Sequence, residues 1–192
     1  MASNYIGTDV SMIDKMEYYL TNDLQATSDE IDYIKRLYNT KTKDRGILKR
    51  KPNVRLPSTI VDNFLYHGHV GHAKNWNLLN EIGIKHILNI CEIELNKEIL
   101  DNFNVLWINI DDDHSKVFVH CQLGISRSSS IVLAYLMKYH HENLIDAYDH
   151  LVNCRRIASP NFGFFLQLIR YEKTLHKFLS SNESHGKDKI CQ

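Results

Sequence analysis

The segment His120-Cys121-Gln122-Leu123-Gly124-Ile125-Ser126-Arg127-Ser128 puts a thiol, a guanidinium and two hydroxyls within reach of one point. The apolar run Val117-Phe118-Val119 leads directly into Cys121, and a run of high helix content begins near Arg127. A strand, a short loop and a helix in that order turn the loop's backbone N–H groups, and the positive end of the helix, towards one place. That place binds anions. A cysteine set there has its thiolate stabilised and becomes a nucleophile at neutral pH. Arg127 can close the loop and offer two parallel N–H bonds to phosphoryl oxygens, a geometry that lysine does not match. Gly124 relieves crowding where the backbone curves around the ligand. Gln122, Leu123, Gly124, Ile125, Ser126 and Arg127 are therefore the candidate substrate-binding residues.

Five residues between cysteine and arginine carry little information alone in a chain with four cysteines. The preceding His120, Gly124, the flanking serines and the strand-to-helix context make the pattern specific, and no other cysteine here has arginine at that spacing. The competing reading is a buried core cysteine, the commonest fate of a free thiol. His67, His69 and His72 have a spacing that could suit a metal. They fall at a strand end and the following turn without a nearby cysteine or carboxylate, so no metal and no cofactor is expected.

The elements that must position this loop are legible in outline. Ile60 to Tyr66 reads as a strand stopped by Gly68, and Lys74 to Ile82 as a helix ended by Gly83. His86 to Cys91, Val105 to Ile110 and Lys116 to His120 read as buried strands. Helices are expected from Ser128 to about His141, from Leu144 to Asn153, and from a Ser159 cap with Pro160 in the first turn, burying Phe164, Leu168, Tyr171 and Leu175. Alternating strands and helices predict an α/β domain with a central, mostly parallel sheet flanked by helices. Residues 1–53 read as a polar, partly helical extension or linker. In it Ser11 can cap a helix carrying Ile13, Met16 and Leu20. Thr27 and Glu30 form a capping-box pattern ahead of Ile31, Ile34 and Leu37. The domain itself is placed at 54–179, and 180–192 reads as a disordered tail.

The chain has 192 residues, with 23 basic and 23 acidic side chains and a formal net charge of zero. That balance gives no reason to expect nucleic acid or an anionic membrane as a main partner. The longest apolar run, Ile131 to Met137, is too short to cross a bilayer, and the N-terminus does not resemble a signal peptide. Cys91, Cys121, Cys154 and Cys191 are scattered, which fits reduced thiols in a cytoplasmic or nuclear protein. Lys49-Arg50-Lys51 followed by Val54 and Leu56 resembles a kinase-docking peptide, against the plainer reading of a solvated linker.

The loop resembles the HCxxGxSRS signature of dual-specificity protein phosphatases. The similarity extends from about Pro57 to Leu179 and includes Asp62-Asn63-Phe64-Leu65-Tyr66, Ala134-Tyr135-Leu136-Met137 and Ser159-Pro160-Asn161. The resemblance implies a protein tyrosine phosphatase-like fold and metal-free hydrolysis of a phosphorylated protein substrate through a phosphocysteine. It implies Cys121 as nucleophile, Arg127 as phosphoryl clamp, and Ser128 as the group that helps the thiolate leave. The general acid is expected in Asp111-Asp112-Asp113, and register with the family favours Asp112. Adjacent carboxylates repel one another, so one holds a proton more readily. An acidic solvated turn is the alternative reading.

The chain departs from the family at one place. Only Asp111 to Ser115 separate the strands Val105 to Ile110 and Lys116 to His120, reaching at most roughly 17 Å. Parallel strands need a crossover of about a dozen residues or more. In related phosphatases this place holds the rest of the acid loop and a helix, about 25 residues. The expected consequence is a fold shortened between two strands, a sheet face without its helical cover, and a poorly placed Asp112. The rival function is therefore a catalytically impaired phosphate-binding or scaffold pseudophosphatase.

Overall fold

The computed structural model of the chain describes residues 12–44, 55–105 and 115–186. Two helices, α1 (Met12–Asn22) and α2 (Ser28–Asp44), precede β1 (Ser58–Val61), β2 (Leu65–His69), α3 (Val70–Ala73), α4 (Trp76–Ile82) and β3 (Ile84–Asn89). After these come α5 (Lys97–Asn102), β4 (Asn104–Val105), β5 (Lys116–Cys121), α6 (Arg127–Tyr139), α7 (Leu144–Cys154) and α8 (Phe162–Gly186). The five strands form one sheet in the order β1-β2-β5-β3-β4, parallel throughout except for the β1–β2 pair. β5 is the central strand, so Cys121 at its carboxyl end is flanked by pairing on both sides and faces the crevice where ligands bind in open α/β sheets.

Period-two alternation divides the sheet's side chains between two cores. Leu65, Val117 and Val119 face α6, α7 and α8, whereas Tyr66, Ile87 and Phe118 face the layer of α3, α4 and α5. Met16, Leu20, Ile34 and Leu37 are buried in the first of these cores, where α2 lies against α7 and α8. The helical spacing of those residues thus marks a packed face. The mostly polar composition of α1 and α2 reflects only their outer sides.

The expected capping box of α2 is present. Thr27 N donates to Glu30 Oε2 at 3.0 Å and Glu30 N to Thr27 Oγ1 at 3.4 Å. Glu30 is buried and also accepts from Arg170 Nε at 3.2 Å and Lys173 Nζ at 3.3 Å, which ties α2 to α8. Burial would raise its pKa, but the bonds from Arg170, Thr27 and Lys173 outweigh it and hold the carboxyl at about 2, below its ordinary 4.5. A carboxylate with a lowered folded-state pKa stabilises the fold above its unfolded value, and that contribution is lost as pH falls towards the folded value. Glu30→Gln should therefore lower the melting temperature at pH 7 and flatten the loss of stability between about pH 4.5 and pH 2, as read by thermal melts across that range.

Several boundaries differ from expectation for identifiable reasons. The strand expected over Ile60 to Tyr66 is two antiparallel strands, because Asp62-Asn63-Phe64 forms a turn with Asn63 at φ 56°. Asparagine tolerates that left-handed conformation. α4 starts at Trp76 because Asn75 caps it, its Oδ1 accepting from Leu78 N at 3.1 Å, and Gly83 ends it at φ 82° as expected. The third strand begins directly after Gly83 and ends at Asn89, whose Oδ1 accepts from Cys91 N at 3.0 Å. The last helix is capped by Asn161, whose Oδ1 accepts from Phe164 N at 2.8 Å, and not by Ser159. Its buried face is centred on Phe165, Leu168 and Ile169. It runs to Gly186, into the stretch expected to be a disordered tail, because no proline interrupts it and extending an existing helix is inexpensive. Of the strand expected over Val105 to Ile110, Asn104–Val105 is seen paired with β3, and the rest lies outside the described residues.

Candidate active site

The nucleophile loop is fixed from several directions. Gly124 O accepts from Arg155 Nε at 2.7 Å, and Gln122 O accepts from Val70 N at 3.3 Å. Ile125 O accepts from Ser159 N at 2.7 Å, and Ser126 Oγ accepts from Asn161 N at 3.0 Å. The Ser159-Pro160-Asn161 turn thus braces the loop rather than starting a helix. Because the Ser126 hydroxyl is engaged there, no side chain caps α6, and its first N–H groups remain directed at the loop. Gly124 has φ 63°, and a Cβ there would lie 2.2 Å from Gly68 O and 2.6 Å from Arg155 Nη2. Only glycine permits this approach.

Cys121 is buried, and Ser128 Oγ lies 3.1 Å from its Sγ, donating to it. Burial by itself would raise the thiol's pKa. The Ser128 hydroxyl and the backbone N–H groups of Ser128, Ile125 and Gly124 outweigh burial and bring it below its ordinary value. These groups stabilise negative charge at Sγ, which is the condition for a thiolate nucleophile. Arg155 is itself buried, and burial lowers its pKa while the Cys121 thiolate raises it. It places a cation beneath the loop.

Arg127 sits at the first position of α6, and its Nη1 donates to Glu92 Oε2 at 2.7 Å. Both partners are solvent-exposed, so the pair is weakly held. The carboxylate takes one donor of the fork that could otherwise face two phosphoryl oxygens. Leu123 stands exposed at the rim. Asp111, Asp112 and Asp113 lie outside the described residues.

His67, His69 and His72 do not converge on a metal, and no cluster suited to one occurs among the described residues. His69 and His72 stack with ring centroids 3.7 Å apart and close the short α3 turn. His67 points instead at Ser128, with Nε2 2.8 Å from Oγ. His120 is fully buried against Phe118, and burial pushes its pKa down to about 4. Two neighbours of the loop, Arg155 and Glu92, escaped the sequence reading, and His67 entered it only as a metal candidate. For His67 a signal existed, since strand parity places a polar residue where Leu65 predicts an apolar one. For Arg155 and Glu92 there was none.

Beside the site, an apolar cavity of about 210 Å³ opens between the sheet and α6, lined by Leu65, Leu88, Val119, Ile131 and Tyr135 among others.

Residues 108–174 match the family model for the dual specificity phosphatase catalytic domain. Human dual specificity protein phosphatase 5 is 33% identical over 134 residues, covering 58% of this chain and 35% of that protein. Mouse dual specificity protein phosphatase 1 is 35% identical over 131 residues, covering 57% of this chain and 36% of that protein. The solved structure of a human tyrosine phosphatase-like serine/threonine/tyrosine-interacting protein superposes with a TM-score of 0.55 at 27% identity, covering 62% of this chain and 97% of that one. The mixed α/β sheet with a cysteine loop at the carboxyl end of its central parallel strand is a protein tyrosine phosphatase-like fold, and over residues 108–174 the chain is similar to the dual-specificity phosphatases.

The chain spans about a third of the length of the curated relatives it matches. In the first alignment, 58% of 192 residues is about 111, so about 23 of the 134 aligned positions have no residue here. That deficit agrees with the short connection read from the sequence. Among the described residues no helix is long and apolar enough to cross a membrane.

Proposed function

We propose that this chain is a protein phosphatase hydrolysing phosphotyrosine, and also phosphoserine and phosphothreonine, through a phosphocysteine intermediate. The observation that carries the reading is the environment of Cys121 Sγ, which receives the Ser128 hydroxyl and three loop N–H groups. In the first step the thiolate attacks phosphorus, the bond from phosphorus to the side-chain oxygen breaks, and Asp112 gives its proton to that oxygen. In the second, water attacks phosphorus and the S–P bond breaks. The thiolate leaves towards the Ser128 hydroxyl, and the water's proton returns to Asp112. Arg127 exchanges Glu92 for two equatorial phosphoryl oxygens, and the loop N–H groups hold the others. The role of Asp112 rests on family register alone.

Gln122, Leu123 and Ile125 leave the loop without lysines, which favours a phosphoprotein over a polyanionic head group. The described cysteines Cys91, Cys121 and Cys154 are free, which supports a cytoplasmic setting, the nucleus included. A kinase held through Lys49 to Leu56 is the further partner that the basic-then-apolar pattern supports; deleting that stretch would then abolish its pull-down. The catalytic reading is tested with a chelator present, by measuring phosphate release from a small aryl phosphate and from phosphotyrosyl and phosphothreonyl peptides. Release from all three is expected. Oxyanion binding without release would leave the scaffold reading in its place.

A further inference from the structure

We propose that His67 is a positioning residue for the nucleophile, donating from Nε2–H to Ser128 Oγ and so fixing the single hydroxyl proton of Ser128 on Cys121 Sγ. The three groups form a chain, with His67 Nε2 2.8 Å from Ser128 Oγ and Ser128 Oγ 3.1 Å from Cys121 Sγ. All three residues are buried, so water does not compete for these bonds.

The direction of the chain follows from counting protons. A serine hydroxyl has one proton and accepts with its lone pairs. A thiolate can only accept. With Cys121 ionised, the Ser128 proton lies towards sulfur, so the contact at 2.8 Å requires His67 to donate. The neutral ring then carries its proton on Nε2, leaving Nδ1 bare. Nδ1 is buried with no hydrogen-bond partner among the described residues. An orphaned bare nitrogen is tolerated there more readily than an orphaned N–H. The ring stays neutral because burial, Arg155, His120 and His72 all oppose a positive charge on it. A charged ring would hold the same Ser128 orientation, but a ring that accepted from Ser128 would pull its proton off sulfur.

The backbone explains why the three meet. On β2, His67 pairs with Val119 of β5 and His69 with Cys121, so His67 lies one strand over and one pleat below the nucleophile. Parity puts it on the same sheet face as Val119 and Cys121, under the first turn of α6, where Ser128 projects. Its assignment deepens the proposed phosphatase chemistry and rests on that reading for its use in catalysis. The effect on the thiol does not.

The test compares His67→Gln with His67→Met. Both side chains are long and unbranched, but only glutamine keeps an N–H donor at the Nε2 position. The pH dependence of iodoacetamide alkylation is followed on the Cys121 peptide by mass spectrometry, which needs no turnover. The midpoint for H67Q should stay near that of the unaltered chain, and that for H67M should rise by about one pH unit, about tenfold less thiolate below it. In a Ser128→Ala background the same two substitutions should give equal midpoints, because the relay is already cut. Equal midpoints for H67Q and H67M with Ser128 present would overturn the proposal, as would an undiminished difference in its absence. If H67M does not fold, H67L provides the donor-free arm. A midpoint shift in a chain that releases no phosphate would sink the phosphatase reading while leaving the relay intact.

Discussion

Cys121→Ser should reduce phosphate release by more than about a thousandfold while the folded loop still holds an oxyanion. The substitution exchanges sulfur for oxygen at a buried position braced by the Ser128 hydroxyl and loop N–H groups, so the backbone has no reason to move. What changes is the ionisation. A serine hydroxyl has no nearby base strong enough to remove its proton, since burial keeps His67 neutral and its Nε2 is bonded to Ser128. The variant should therefore bind vanadate or a phosphopeptide as the unaltered chain does, and melt within about 3 °C of it. Activity retained to within tenfold would remove Cys121 from the mechanism.

Gly124→Ala should be the most damaging one-carbon change in the loop. The residue has φ 63°, and the added carbon would meet Gly68 O at 2.2 Å and Arg155 Nη2 at 2.6 Å. The first obstacle is backbone carbonyl, which cannot rotate away as a side chain can. Left-handed strain and overpacking together should lower stability by about 2–4 kcal/mol. The loop must also shift by a good fraction of an ångström, and displacement of that size costs about a hundredfold in turnover. Urea denaturation and aryl phosphate turnover measure the two effects. An alanine variant matching the unaltered chain in both would mean that the close approach to Gly68 does not shape the site.

The loop's architecture was legible because it is local. A strand feeding a cysteine, a glycine at the bend and an arginine at a helix start are contiguous, and the structure places them as their spacing implies. Helix stops at Gly83 and the Thr27–Glu30 capping box were legible for the same reason. What could not be read is what depends on pairs distant in sequence. The turn at Asn63 that splits the first strand uses a residue type compatible with either reading. The cap at Asn161 was hidden behind a serine and a proline that look like a helix start but brace the loop instead. Buried Arg155, thirty-one positions beyond Gly124, has the same sequence signature as its neighbour Arg156. His67 looked like part of a metal-spaced triplet, when strand parity sends it to Ser128 and leaves His69 and His72 to close a turn. Helices α1 and α2 carried apolar residues at helical spacing, but nothing in the spacing names the partner that covers them, which is α7 and α8.

The connection between β4 and β5 is shorter in the sequence than a parallel crossover needs. The loop that holds Cys121 is braced by β2, α3, Arg155 and the Ser159-to-Asn161 turn, none of which belongs to that connection. On the proposed mechanism thiolate attack is therefore separable from that connection, whereas protonation of the leaving oxygen falls to Asp112, which lies within it in the sequence. An aryl phosphate with a good leaving group should accordingly be hydrolysed faster than a phosphoserine peptide.

The most direct measurement is acid quenching of the full chain during turnover of a radiolabelled phosphotyrosyl peptide. The site geometry predicts label bound covalently to the peptide containing Cys121, and none in the Cys121→Ser variant. Phosphate released over many turnovers with no label on Cys121 at any quench time would contradict it.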